Sequence, residues 1–241
     1  MEIKVLALSS KGNCIYVSDG KTGLLLDCGL PVKEIKRGLN FGLTQVEACL
    51  LTHCHQDHAK AAKDIIKAGI DLYASPATVE ALGLTGHRVM TVKSMEKFEV
   101  GSLKILAFDA VHDVETLGFL LASPPYKVLY LIDSAYCKYR FTGLTHLLVG
   151  CNYSMDILRQ NVADGALTME LKNRIIRSHM GLETLKGMLK ANDLSQVEAV
   201  YLLHLSDGNS DAERFKKEIR ALTGKPVYIG AGAEIVEEGM R

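Results

Sequence analysis

Residues 52–58, Thr-His-Cys-His-Gln-Asp-His, limit what this chain can fold into more than any other stretch. They follow an apolar run, Ala48 to Leu51, that reads as a buried strand, and they put His53, His55, Asp57 and His58 side by side. At an extended strand end alternate side chains share a side, so His53, His55 and Asp57 are expected to converge. Residues 59–68 read as a helix, which leaves His58 at the corner, facing the same cavity from another angle. Four metal-capable side chains are too many for one tetrahedral zinc that keeps a position open for water. They suit two cations, each taking part of the set, with further ligands arriving from elsewhere in the chain.

Three isolated positions offer those ligands. His112 follows the apolar strand Leu103–Phe108, Asp133 ends Val128-Leu-Tyr-Leu-Ile-Asp, and His204 ends Ala199-Val-Tyr-Leu-Leu-His. Each stands where loops build sites on a rigid scaffold. Around them the chain reads as short strands and helices. Strands are expected at 2–8, 14–18, 24–27, 70–74, 145–150, 197–204 and 226–230, hairpins over 98–108 and 118–133, and helices near 31–39, 76–82 and 182–192. A further amphipathic helix, 211–222, opens at Asn209 or Ser210 and closes at Gly224. Residues 154–176 are expected to be helical in parts and carry no motif that can be read.

With 241 residues, 48% hydrophobic and 23% charged, the chain has ordinary globular composition, and without repeat or linker it is expected to form one domain over residues 1–241. It holds no apolar run of the ~18 residues that a membrane span needs. The N-terminal Met1-Glu-Ile-Lys enters a strand pattern directly, which predicts a cytoplasmic protein. Six scattered cysteines without a CxxC pair are expected to be reduced thiols, with Cys54 pointing away from the metals. His87 and His146 lack a partner pattern and are expected to be structural. Basic and acidic residues balance at 28 each, so any nucleic acid must be gripped locally rather than by a general basic excess.

Thr52-His-Cys-His-Gln-Asp-His58 resembles the HxHxDH signature of the metallo-β-lactamase superfamily. The resemblance implies an α/β (α+β) fold, an αββα four-layer sandwich with a dinuclear centre at one edge. Carried over residue by residue, it implies that His53, His55 and His112 hold one metal and Asp57, His58 and His204 the other. Asp133 bridges them, and Asp57 belongs to the catalytic machinery as well. A hydroxide between two divalent metal ions, zinc or manganese, would be the nucleophile. Asp27, at the end of Leu24-Leu-Leu-Asp, matches an Asp that in this superfamily orients a histidine ligand from behind.

Further motifs narrow the branch. Leu8-Ser-Ser-Lys-Gly-Asn-Cys14, His112-Asp followed by Gly118-Phe, Arg177-Ser-His-Met-Gly-Leu-Glu183 and Leu202-Leu-His-Leu-Ser-Asp-Gly-Asn-Ser210 are similar to those of WalJ (YycJ)-like proteins, related to ribonucleases Z and J. Lys11 departs from the small residue usual in the opening motif. The branch implies a metal-dependent phosphodiesterase, a DNA exonuclease acting from the 5′ end, with DNA favoured over RNA as its partner. It also implies that His179 assists at the scissile phosphate or leaving group, placed at the N-terminus of the helix near Leu182. Ser10 and Asn13 are expected to offer hydroxyl and amide donors to a phosphate. A small cyclic phosphodiester and, further off, a glyoxalase II-like thioester are the alternative substrates. The length leaves no room for the inserted domain of ribonuclease J-like enzymes, and no long arm of the ribonuclease Z kind is present.

Overall fold

The computed structural model describes residues 1–9, 12–230 and 234–235. Ser10 and Lys11 lie outside the described residues. The first half of the chain runs β1 (Glu2–Ser9), β2 (Gly12–Ser18), β3 (Gly23–Leu26), α1 (Val32–Gly38), β4 (Val46–Leu50), α2 (Gln56–Ala59), α3 (Ala62–Lys67), β5 (Asp71–Ala74), α4 (Pro76–Leu82) and β6 (Val89–Thr91). The second half runs β7 (Lys97–Val100), β8 (Leu103–Ala110), β9 (Thr116–Ser123), β10 (Tyr126–Leu131), β11 (His146–Gly150), α5 (Met155–Ala163), α6 (Met169–Ser178), α7 (Leu182–Ala191), β12 (Ala199–Leu203), α8 (Ala212–Thr223), β13 (Val227–Ile229) and β14 (Glu234–Ile235).

Two mixed sheets result, in the orders β14-β1-β2-β3-β4-β5-β6 and β13-β12-β11-β10-β9-β8-β7. The central strands are apolar on both faces, as strands covered on both sides must be. Alternate residues then sort into different cores. Leu24, Leu26, Ala48 and Leu50 meet Val128, Tyr130, Leu148 and Tyr201 between the sheets. Their neighbours Leu25, Cys49 and Leu51 face outward onto Ile35 of α1 and Ile65 of α3. On the far side Leu129, Leu131, Leu147 and Leu202 pack under Leu182 and Leu185 of α7 and Phe215 of α8. Three cores separate four layers, the αββα sandwich expected from the sequence.

Strands β3 to β6 run parallel, as do β10 to β13. Strand β8 is two antiparallel steps from β10 and so shares its direction. The C-terminal ends of β3, β4, β8, β10 and β12 therefore open on one edge, where an open α/β sheet places its ligands. A latch closes the sandwich where β2 turns into β3. The Asp19 carboxylate accepts hydrogen bonds from Ser102 and Ser123 of the second sheet, each at 2.6 Å.

Some local structure departs from the sequence reading. The helix expected at 59–68 starts earlier and is broken into α2 and α3. Helix α8 is capped by Asp211, whose side chain accepts from the Arg214 N–H, rather than by Asn209 or Ser210. Residues 154–176 are helical in parts as expected, in α5 and most of α6, whereas the short strand β6 is an addition. Among the described residues no helix is long and apolar enough to cross a membrane.

Candidate metal centre

The loop after β4 carries His53 and His55, and α2 carries Asp57 and His58. Asp57 therefore does not continue a strand alternation with the first two histidines. The helical turn swings it to the other side of the cavity, with His58. His53, His55 and His112 bring one ligand atom each within 4.8 Å of one another, and so do Asp57, His58 and His204. Asp133 stands between the two groups. Its Oδ2 is 3.2 Å from His58 Nε2 and 3.8 Å from His53 Nε2, and its Oδ1 is 3.7 Å from His204 Nε2. All seven residues expected to bind metal thus meet at one edge. Cys54 belongs to none of these groups.

The ring nitrogens turned away from the cavity are held by specific acceptors, which fixes the tautomers. His58 Nδ1 donates to Asp27 Oδ2 at 2.7 Å. Thr52 donates its hydroxyl to Asp27 at 2.9 Å, leaving its oxygen to accept from His53 Nδ1 at 2.9 Å. His112 Nδ1 donates to the Ser178 carbonyl at 2.7 Å. Each ring then turns a lone pair inward. His53 Nε2 lies 3.0 Å from His55 Nδ1, which lies 3.4 Å from His112 Nε2. Lone pairs so close repel one another unless a cation or proton sits among them. Asp133 Oδ1 is buried with no hydrogen-bond partner, a state that a native carboxylate avoids. Nitrogen and carboxylate donors with this unmet need fit divalent cations such as zinc or manganese.

The charges of the cluster act strongly on one another. Burial pushes the Asp133 carboxyl up, but His204, His58 and His179 around it outweigh burial and hold it well below the usual carboxylate range. Burial likewise pushes His58 down, and Asp27, Asp133 and Asp57 overcome it, keeping this imidazole well above its ordinary value. His53, buried beside His58, is pushed the other way.

Asp27 holds this arrangement from behind. Besides Thr52 and His58 it accepts from the Thr52 N–H at 2.8 Å and the Tyr130 hydroxyl at 2.7 Å. Its backbone and that of His204 are left-handed, with φ of 60° and 51°, a conformation uncommon among non-glycine residues, in which Asp, Asn and His are enriched. The loop after Asp27 lies against α2: Cys28 N–H donates to the His58 carbonyl at 2.7 Å. A Cβ on Gly29 would stand 1.6 Å from the Asp57 carbonyl oxygen, so this close approach requires glycine.

His179 caps the C-terminus of α6 and turns into the same cavity. Its ring stacks on His204 with centroids 5.4 Å apart and an interplanar angle of 6°, and its Nε2 is 3.9 Å from Asp133 Oδ1. Burial, opposed by Asp133 and aided by His204 and His112, lowers its pKa to about 4. The next helix, α7, begins three residues after His179, and its first N–H, Leu182, donates to the Tyr153 carbonyl. Asn13 also differs from expectation. It is fully buried, with its amide nitrogen 3.0 Å from His58 Nε2 and 3.3 Å from Asp57 Oδ2, and its Oδ1 3.4 Å from His204 Nδ1. Its side chain positions ligands instead of facing a substrate. His87 is exposed away from the centre, and His146 is buried at the start of β11 beside Thr145. Tyr130 and Thr52 were given no role from the sequence, and Asp113 entered only as the residue after His112 in a motif.

The beta-lactamase superfamily domain family matches residues 22–205. Exodeoxyribonuclease WalJ of Streptococcus pneumoniae is 30% identical, with 87% of this chain and 83% of that protein covered. Exodeoxyribonuclease YycJ of Bacillus anthracis is 24% identical over 98% of this chain and 94% of its own length. Among solved structures, the metallo-beta-lactamase fold protein YhfI from Bacillus subtilis superposes with a TM-score of 0.74 at 16% identity, covering 96% of this chain and 97% of that one. Zn(2+)-bound PqqB from Methylobacterium extorquens gives 0.68 at 18% identity, covering 96% and 99%. With the sandwich, the edge and the ligand set already described, these likenesses lead to one conclusion: the chain is a metal-dependent hydrolase that belongs to the metallo-β-lactamase superfamily, in its WalJ-like branch.

Proposed function

We propose that this protein is a dinuclear phosphodiester hydrolase whose substrate is DNA, degraded as an exonuclease from the 5′ end. The observation that carries the reading is the placement of Asp133 between two groups of inward-facing ligand atoms. His53, His55 and His112 would hold one divalent cation, and Asp57, His58 and His204 the other, with Asp133 shared. When bound, such a pair of cations acidifies a water held between them and clamps the attacking and leaving oxygens of a phosphoryl centre.

The chain's own residues have separable tasks in this reading. Asp27 and Thr52 keep His58 and His53 in the tautomers that turn Nε2 inward, and Tyr130 holds Asp27. Asn13 ties Asp57, His58 and His204 together. His179, neutral above about pH 4, presents Nε2 beside Asp133 and is the residue proposed to meet the scissile phosphate or its leaving oxygen. The exodeoxyribonuclease names of the two bacterial relatives support DNA as the polymer. The 5′ polarity rests on the resemblance of the sequence motifs to that branch.

The test is hydrolysis of 5′-labelled single- and double-stranded DNA beside bis-(p-nitrophenyl) phosphate, with Mn²⁺ or Zn²⁺, for the wild type and His55→Ala. Shortening of DNA that His55→Ala abolishes is expected, with the product ladder giving the direction. Cleavage of RNA in preference to DNA, or of the small diester with DNA left intact, would move the substrate assignment. Inertness toward all of them with both cations bound would sink phosphodiester chemistry and bring thioesters forward.

A further inference from the structure

Three of the five histidines that face the cations are oriented from behind by a near neighbour: Thr52 for His53, Asp27 for His58 and the Ser178 carbonyl for His112. His55 is different. Its Nδ1 points at His53 and His112, its side chain is 34% exposed, and a carboxylate, Asp113 Oδ1, lies at an ion-pair distance of 3.5 Å from its Nε2. The same carboxylate oxygen is 3.1 Å from His112 Nε2. The other oxygen of Asp113 accepts from Arg174 Nη2 at 3.1 Å. Arg174 projects from α6, the helix whose last residue, Ser178, orients His112.

We infer that Asp113, clamped by Arg174, is the positioning residue of the first cation site: it accepts the Nε2 proton of His55 and so keeps the Nδ1 lone pair turned to the cation. A histidine that donates its outer N–H to a carboxylate is fixed in tautomer and ring orientation, and becomes a more basic ligand. Arg174, 67% exposed, adds little stability of its own at such a surface pair. Its contribution is to direction, since it holds Asp113 between α6 and the two imidazoles.

This inference rests on the reading that His53, His55 and His112 hold a divalent cation, and its test separates the two. Zn²⁺ and Mn²⁺ binding to the full chain is measured by equilibrium dialysis for wild type, His55→Ala, Asp113→Asn and Arg174→Ala, with melting of the metal-free proteins as a control of folding. Asp113→Asn is expected to weaken one of two bound cations about 10–100-fold and to leave the other unchanged. Arg174→Ala, on an exposed side chain, is expected to give a smaller loss at the same site, and it carries the test if Asp113→Asn does not fold. Ring-nitrogen NMR of the zinc-loaded protein should place the His55 proton on Nε2, and Asp113→Asn should lose or shift that signal. Wild-type affinity in Asp113→Asn, when His55→Ala has lost a cation, overturns the positioning role. A loss in Asp113→Asn as complete as in His55→Ala also overturns it, by making Asp113 a ligand. Two cations bound with wild-type affinity by His55→Ala would instead refute the cation site itself.

Discussion

Asp27 Oδ2 lies 2.7 Å from His58 Nδ1, and neither side chain reaches solvent. The same carboxylate serves Thr52 and Tyr130, so all its partners are donors. Asp27→Asn keeps the size but turns an amide N–H₂ toward one of them. Stability is expected to fall by about 1–3 kcal/mol for the unpaired buried donors, and cation affinity by roughly 10–100-fold. Urea melts and metal dialysis of the variant check both.

Chelation should loosen the whole sandwich. Each proposed ligand group draws on both sheets, His53 and His55 with His112 in one, Asp57 and His58 with His204 in the other. A free cation at one hundred times its dissociation constant stabilises by about 2.7 kcal/mol, and each kcal/mol moves Tm by roughly 2–4 °C in a chain of this size. Calorimetry with excess Zn²⁺ and then with a chelator should show a fall of that order. An unchanged Tm would mean that the centre does not bind the ion.

His179→Ala should separate catalysis from metal binding. The expected outcome is a fall in kcat of about 10²–10⁴-fold on DNA, with both cations retained. Metal analysis alongside the kinetics decides the matter, because a variant that loses a cation would make His179 a ligand.

The Asp19 latch makes a prediction far from the centre. Partial burial raises this carboxyl, but hydrogen bonds from Ser102, Ser123, Thr22 and Lys21 outweigh it and hold the pKa well below the model-peptide 3.8. Asp19→Ala should cost about 0.5–1.5 kcal/mol at pH 7, since solvent screens this carboxylate. A depressed carboxylate contributes fully above its unfolded pKa and loses its contribution as pH falls through the folded one. The gap between wild type and Asp19→Ala in urea melts should therefore begin to narrow below about pH 4 and stay constant above pH 5. A gap independent of pH would assign the effect to lost packing.

Much of the centre could be read from the sequence because its ligands either cluster or end apolar strands. His53 to His58 form a local motif, and His112, Asp133 and His204 each close a run whose alternation between two cores is visible in Val128-Leu-Tyr-Leu and Val200-Tyr-Leu-Leu. Apart from Asp27, which the resemblance set behind a histidine ligand, the supporting contacts were not legible, because they join residues that only tertiary packing brings together. Tyr130 reaches Asp27 across 103 positions and Arg174 reaches Asp113 across 61. Helix α6 carries Met169, Leu171, Ile175 and Ile176 but buries Ser178 alone, so apolar spacing does not announce where it docks, and its contacts with the centre are made by the Ser178 carbonyl and the Arg174 guanidinium. Asp57 was assigned an extended backbone because its alternation with His53 and His55 suited one, whereas α2 begins at Gln56.

The left-handed backbone at residue 27, with φ of 60°, narrows which amino acids this position accepts. Glycine, asparagine and aspartate are the residues that enter that conformation readily. The surrounding donors, two from Thr52 and one each from His58 and Tyr130, ask for an acceptor with no proton of its own to offer. Glycine meets the first demand and leaves the donors unpaired. Asparagine meets it and sets a donor against a donor, while glutamate meets only the second. Aspartate alone satisfies both, so a substitution here that spares the backbone still damages the centre.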